Sequence, residues 1–154
     1  QASPRFLACM ARNALLRTPP LGFFKDFVVE ADGRHSRAIN LKRRGTAPLA
    51  DLVRVHALAV GSISVNSFER LRDVIDASIL PLGRGQDLVD ALEFISIVRI
   101  RNQAVSLAAG EEPDNSVEPD TLSEFERKSL RDAFLILSNA QKFMKYRYQP
   151  GRVN

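Results

Sequence analysis

Apolar residues recur at helical spacing through most of this chain, and prolines, glycines and capping side chains cut the pattern into segments. Ser3 followed by Pro4 is a helix start: a capping hydroxyl, then proline at the first helical position. Phe6, Leu7, Met10, Ala14 and Leu15 follow at three- and four-residue steps. Pro19-Pro20 ends that helix at or before Thr18, because the residue before a proline is pushed out of the helical region. Pro48 opens a segment with Leu49, Leu52, Val53, Ala57 and Val60 on one stripe, closed by Gly61. Asn66 with Glu69 makes a capping-box-like start for Phe68, Leu71, Ile75 and Ile79, ended by Pro81 and Gly83. The longest segment runs from about Asp87 to Ala109. Leu88, Leu92 and Ile95 mark one stripe on it, and Val89, Ile97, Ile100 and Ala104 a second. Two apolar faces predict a helix in the middle of a bundle. Residues 111–120, with two prolines, read as a loop. Ser123 with Glu126 caps the last helix, whose stripe is Leu130, Phe134, Leu137, Gln141 and Met144, with Phe143 and Tyr148 beside it.

One stretch has a different pattern. Phe23 to Glu30 and Ser36 to Lys42 flank Asp32-Gly33, a dipeptide suited to a tight hairpin turn. Phe27-Val28-Val29, Ile39 and Leu41 supply strand-favouring side chains. The expected fold is mainly α: an up-and-down four-helix bundle over about 48–148, with an extra N-terminal helix and a small β-hairpin over about 23–42. An isolated hairpin is marginal in water, so this one must lie on the helices or extend a sheet from elsewhere.

Composition narrows the classes. The 154 residues fit one domain, and 45% apolar with 26% charged content excludes disordered, collagen-like and low-complexity chains. The one cysteine, Cys9, cannot make an internal disulfide; it reads as a packing residue in a reducing, cytoplasmic setting. The longest uncharged apolar-rich stretch, Val55 to Phe68, is too short for a membrane span and holds His56 and Asn66. No membrane partner is expected. Ser3-Pro4-Arg5 stands where a signal peptide would need its apolar core. Residues 1–54 carry a net charge of +6 and the remainder −2. The basic third reads as a solvated surface, since no aromatic-interleaved basic stripe suited to nucleic acid accompanies it.

Catalytic chemistry is largely excluded. Two histidines and one cysteine make no metal motif, and Gly83-Arg84-Gly85 lacks the strand and third glycine of a phosphate loop. Gly61-Ser62 resembles the Gly-Ser pair of nucleotidyltransferases. Their magnesium ions need an Asp-x-Asp on a strand, whereas Asp73 and Asp76 are three apart on a predicted helix. Neither His56 nor His35 has an arginine five to seven residues ahead, as ribonucleases of the HEPN type would require. His35, just past the turn, is expected to face solvent.

Polar side chains interrupt the stripes. Arg99 projects between Leu92 and Ile95, with Asn102 and Gln103 flanking the stripe one turn on. Arg54 and His56 sit similarly in the Pro48 helix, and Gln141 in the last. One reading is an internal network pairing Arg54 or Arg99 with a carboxylate such as Asp51 or Asp90. The other is a polar floor to a ligand groove. An arginine amid leucine and isoleucine more often anchors helices, so the buried pair is the expected arrangement for Arg99.

At these residues the chain resembles a known family. The stretches are Pro19-Pro20-Leu21-Gly22-Phe23-Phe24; Asn40-Leu41-Lys42 with Gly45 and Pro48-Leu49; Arg54-Val55-His56-Ala57-Leu58; Glu69-Arg70-Leu71; Arg99-Ile100-Arg101-Asn102-Gln103; Pro113-Asp114-Asn115; and Leu130-Arg131-Asp132-Ala133-Phe134 with Gln141. Together they resemble the nucleotidyltransferase substrate-binding domains at the C-terminus of bacterial signal-transduction proteins that also carry cyclic-nucleotide-binding and CBS domains. Those proteins are similar to PII uridylyltransferases, and the domain's fold to the helical C-terminal domain of kanamycin nucleotidyltransferase. The resemblance implies a substrate-binding role without catalysis, beside an upstream catalytic domain of the same chain. That domain would hold Mg2+ and a nucleoside triphosphate, and an acceptor protein would be a further partner. No cofactor is implied for this stretch. It makes Lys42, Arg54, His56, Arg99, Arg101, Asn102, Gln103 and Gln141 the candidate substrate-binding residues, with no catalytic or metal-binding residue among them. The family usually has Asp-Leu-Lys where this chain has Asn40-Leu41-Lys42, which removes a carboxylate. The chain opens on Gln1 and reads as a piece of something longer, with the catalytic portion expected before it. The alternative is a regulatory interaction module coupled to cyclic-nucleotide or CBS sensing, with no transferase activity.

Overall fold

The computed structural model describes residues 2–22 and 26–149. Three of its helices start at side chains that satisfy their end groups. Helix α1 (Pro4–Ala14) begins at Ser3, whose hydroxyl accepts the Phe6 N–H at 3.2 Å. Helix α2 (Ala47–Ala59) closes at Gly61, φ +75°. There the Gly61 N–H donates to the Leu58 carbonyl and the Ser62 N–H to the Ala57 carbonyl. This left-handed stop favours glycine, and it shows why Gly-Ser stands here: the pair is a helix end. Helix α3 (Ser67–Asp76) is capped by Asn66, which accepts the Phe68 and Glu69 N–H groups. Helix α4 (Arg84–Ala108) follows Gly83, φ +80°, which brings no capping side chain. Helix α5 (Glu124–Tyr148) starts at Ser123, whose hydroxyl accepts the Glu126 N–H and donates to its carboxylate, each at 3.1 Å. A cap of this kind contributes about 1 kcal/mol.

The hairpin is smaller than predicted and gains a third strand. Strand β1 (Glu30–Asp32) pairs antiparallel with β2 (His35–Asn40) across Gly33, φ +57°. Strand β3 (Ser116–Val117), from the segment read as a loop, pairs antiparallel with β2, Val117 opposite Ile39 and Ser116 opposite Asn40. Phe23 to Lys25, in the predicted first strand, lie outside the described residues. Phe27 instead bridges Leu21 and sets its ring edge-on against Phe134, centroids 6.3 Å apart. Asn40 ends β2 by a local bond: its side-chain oxygen accepts the Arg43 N–H at 2.9 Å. That bond turns Leu41 and Lys42 out of the strand and into a wide turn over Lys42–Thr46.

The core joins Leu49, Leu52 and Val53 of α2, Leu71 of α3, Leu88, Leu92, Ile95 and Val98 of α4, and Leu130, Phe134, Leu137 and Met144 of α5. Ile39, Leu41 and Val117 seal the sheet onto it. Helix α4 packs on α3 and α5, α2 on α1, α3 and α5, and α1 on α5. Two expectations change. Helix α3 stops before Ile79 and buries Leu71 and Val74, leaving Phe68 and Ile75 exposed. Ile75 lies over Gly85, where a Cβ would stand 2.4 Å from its Cγ1. The second stripe of α4 is not in the middle of a bundle: Ile97 and Ile100 are 52% and 63% exposed.

Candidate functional site

Helix α4 ends beside the sheet, and its polar residues meet the segment that carries β3. Arg99 and Gln103, one turn apart on one face, both donate to the Asn115 side-chain oxygen, at 2.7 and 3.3 Å. Asn102 donates to the Ser116 carbonyl at 2.6 Å. Three of the eight candidates therefore converge on two consecutive loop residues. Arg99 is half-buried, and among the described residues no carboxylate lies within ion-pair distance of it. The expected buried pair with Asp51 or Asp90 does not form. Asp51 is taken at 3.5 Å by Arg54 on its own exposed face, and Asp90 accepts from Gln86 at 2.9 Å.

On the sheet side, Ser116 and Asn40 both donate to Asp32, Asn40 at 3.1 Å, and together they hold its carboxyl below the usual range. An amide at position 40 donates to Asp32, which a carboxylate there could not do. The Asp114 side chain accepts the Ser116 N–H at 3.0 Å.

His35 does not face solvent. Its Nδ1 lies 3.0 Å from Glu118 and its Nε2 2.9 Å from Asp114, with 13% of the side chain exposed. Burial pulls its pKa down, but the bonds to Glu118 and Asp114 outweigh that and raise it. Arg34 pairs with Glu111 at 3.2 Å and donates to the Glu112 carbonyl and the Ser106 hydroxyl. Between these groups is a recess of about 260 Å³ lined by Arg34, His35, Asn102, Glu111, Glu118 and Thr121. Sequence reasoning missed Arg34, Glu118 and Asn115 as site residues, since their partners lie far along the chain. The Asp114-Asn115 motif was the available signal.

The other candidates lie elsewhere. Arg101 turns to the start of α5 and forms an ion pair with Glu126, whose carboxyl it lowers. Lys42 is exposed on the turn before α2. Gln141 is buried and donates to the Arg17 carbonyl at 2.7 Å, tying α5 to the chain after α1. His56 is 1% exposed, its Nδ1 2.8 Å from the Tyr148 hydroxyl, between the rings of Phe143 and Tyr148. Burial, and then the Arg147 charge, lower its pKa to about 4.

The residues present do not fit a magnesium site. Asp73 accepts from the Ser62 and Ser64 hydroxyls, at 2.6 and 2.8 Å, which lower its pKa. Among the described residues no three His, Cys, Asp or Glu side chains are grouped to hold a metal. No described helix is long and apolar enough to cross a membrane.

Nothing among curated proteins or solved structures matches the chain. The model of one family, described as "Putative nucleotidyltransferase substrate binding domain", matches residues 4–148. That match takes in all five helices and the sheet, and the chain belongs to this family.

Proposed function

We propose that this chain is the substrate-binding, non-catalytic helical part of a nucleotidyltransferase-like bacterial signalling protein of the PII uridylyltransferase kind, acting in the cytoplasm. It would work beside a catalytic domain of the same polypeptide, which supplies the carboxylates, the Mg2+ and the nucleoside triphosphate. The carrying observation is Arg99. Its Nε is fixed by Asn115 while, among the described residues, no carboxylate lies within ion-pair distance of the guanidinium, and a positioned, half-buried fork of this kind suits a phosphate or carboxylate of a substrate. Substrate recognition through Arg99 is the role this geometry supports best.

The test is Arg99→Met in the full polypeptide. Transfer to the acceptor should fall by about 10- to 150-fold, the equivalent of a lost charged hydrogen bond of about 1.5–3 kcal/mol. Unchanged transfer would reject the assignment. The exposed Ile97 and Ile100 favour a second reading, a regulatory module that docks a partner through α4. Under that reading Ile100→Glu abolishes partner binding and Arg99→Met has no effect on transfer.

A further inference from the structure

Helices α4 and α5 lie antiparallel: Arg101 pairs with Glu126 towards one end, and Leu88 and Phe143 share a cavity wall towards the other. Between them is an open groove of about 410 Å³. Helix α4 lines it with Asp90, Glu93, Phe94 and Ile97, and α5 with Asp132, Ala133 and Ile136. Steps of three and four residues keep each set on one face, so two ridges border a channel of the kind a third helix packs into. Phe94 and Ile136 rest partly on the core, but Ile97 and, one turn on, Ile100 are more than half exposed. From Asp90 to Ile100 the α4 face runs for about 15 Å, at 1.5 Å per residue. That is about three turns of a docked helix.

The rim carries one sign of charge. Asp90, Glu93 and Asp132 are exposed, and no lysine, arginine or histidine lines the groove. Asp90 accepts from the uncharged amide of Gln86, and among the described residues none of the three acids is in an ion pair. The cations of α5 nearest in sequence face elsewhere: Arg127, Lys128 and Arg131 line a separate recess beside Phe27 and Arg37. Carboxylates gathered along an apolar groove, without counter-charges from the chain itself, select a partner of opposite sign.

We infer that the α4–α5 groove docks a basic amphipathic helix of a partner protein, its apolar side chains seated against Phe94, Ile97 and Ile136 and its lysines or arginines facing Asp90, Glu93 and Asp132. Apolar anchors at three- and four-residue steps supply the affinity, and the charges supply the selectivity. The chain's own arginine-bearing helix is not free to fill this role from a second copy. Helix α1 buries Ala8, Ala11 and Ala14 and packs on α2 and α5. This partner chemistry rests on the docking reading of α4 and is separate from Arg99.

Two helical peptides of about 16 residues test it, sharing one leucine stripe at three- and four-residue steps, one with lysine and the other with glutamate on the polar face. Fluorescence anisotropy on the whole chain should show the lysine peptide binding saturably, with a Kd of about 10 μM, and the glutamate peptide at least about tenfold more weakly. Glu93→Lys combined with Asp132→Lys, both at exposed positions, should reverse that preference. Ile97→Ser should weaken the lysine peptide by about tenfold without adding charge. Equal binding of the two peptides would leave docking at α4 standing and overturn the basic partner. No saturable binding of either up to about 1 mM would overturn both. Lysine-peptide binding that ignores the paired charge reversal would place the peptide elsewhere and overturn the assignment. A chain that sediments as a dimer and separates with Ile97→Ser would give the groove to a second copy, which also overturns it. Arg99→Met leaves the peptide affinities as they are, so this result and the substrate-binding result stand or fall separately.

Discussion

Near the sheet, His35 has a carboxylate on each ring nitrogen; near the start of α4, His56 has a phenol on one nitrogen and, among the described residues, no partner on the other. Both side chains are largely out of water. Asp114 and Glu118, reaching the first from the β3 segment, raise its pKa against the cost of burial, whereas burial and then the like charge of Arg147 lower that of the second to about 4. The same residue type is thus shifted in opposite directions according to which distant segment folds over it. The sheet end is a charged junction that fastens a loop, and at the other end one histidine nitrogen is buried without a hydrogen-bond partner among the described residues.

The comparison has consequences of opposite sign in pH, and the larger comes from His56. Its folded-state pKa of about 4 lies below the value of 6.5 for an ordinary histidine. Its contribution is therefore complete above pH 6.5 and is lost as the pH falls towards 4, where the unfolded chain takes a proton that the folded chain refuses. Stability should drop by about 3 kcal/mol across that window from this group. Urea midpoints between pH 7 and 4 measure it, and His56→Phe should flatten that part of the curve. An equally steep fall in the variant would mean that other groups cause it.

Asn40→Asp tests the junction. The substitution sets a second carboxylate against Asp32, which now accepts from the amide. A loss of about 1–3 kcal/mol in the urea midpoint is expected, the scale for a charged hydrogen bond replaced by repulsion. It should shrink at low pH, where both acids are protonated. An unchanged midpoint would show that Asp32 has another partner ready.

His35 gives the smaller pH effect, since its partners Asp114 and Glu118 are 33% and 40% exposed and screened by solvent. Its raised pKa makes its contribution complete below pH 6.5 and lost as the pH rises past 6.5 through the folded-state value. His35→Gln should remove that alkaline decline and leave the acid one intact.

These contrasts also show what the sequence could reveal. Ser3, Asn66, Gly61 and Ser123 mark helix ends through bonds to residues two to five positions away, so the pattern alone placed all five helices. The grouping of Arg99, Asn102 and Gln103 was legible for the same reason, because helical spacing puts them on adjoining faces. Strand β3 was not: two residues between prolines carry no periodicity, and its pairing with β2 is set by tertiary contact. The partners of His35 lie 79 and 83 positions away, and a residue before a distant loop looks like any exposed turn neighbour. Helix α4 misled through its second stripe, which the folded chain leaves in solvent. Gln141 and Arg54 shared the polar-in-apolar signal with Arg99, yet they serve a backbone clamp and a surface ion pair, while Lys42, which only the resemblance singled out, lies on an exposed turn.

The central claim is that Arg99 is held ready for a ligand and does not anchor the bundle. Urea unfolding of Arg99→Met against the unaltered chain measures this directly. Methionine keeps the aliphatic length and removes the charge, so the loss should be about 1.5 kcal/mol, the low end for a hydrogen bond to a charged group, as suits the half-buried bond to Asn115. A loss of roughly 3–5 kcal/mol, the signature of a buried pair broken on one side, would contradict it.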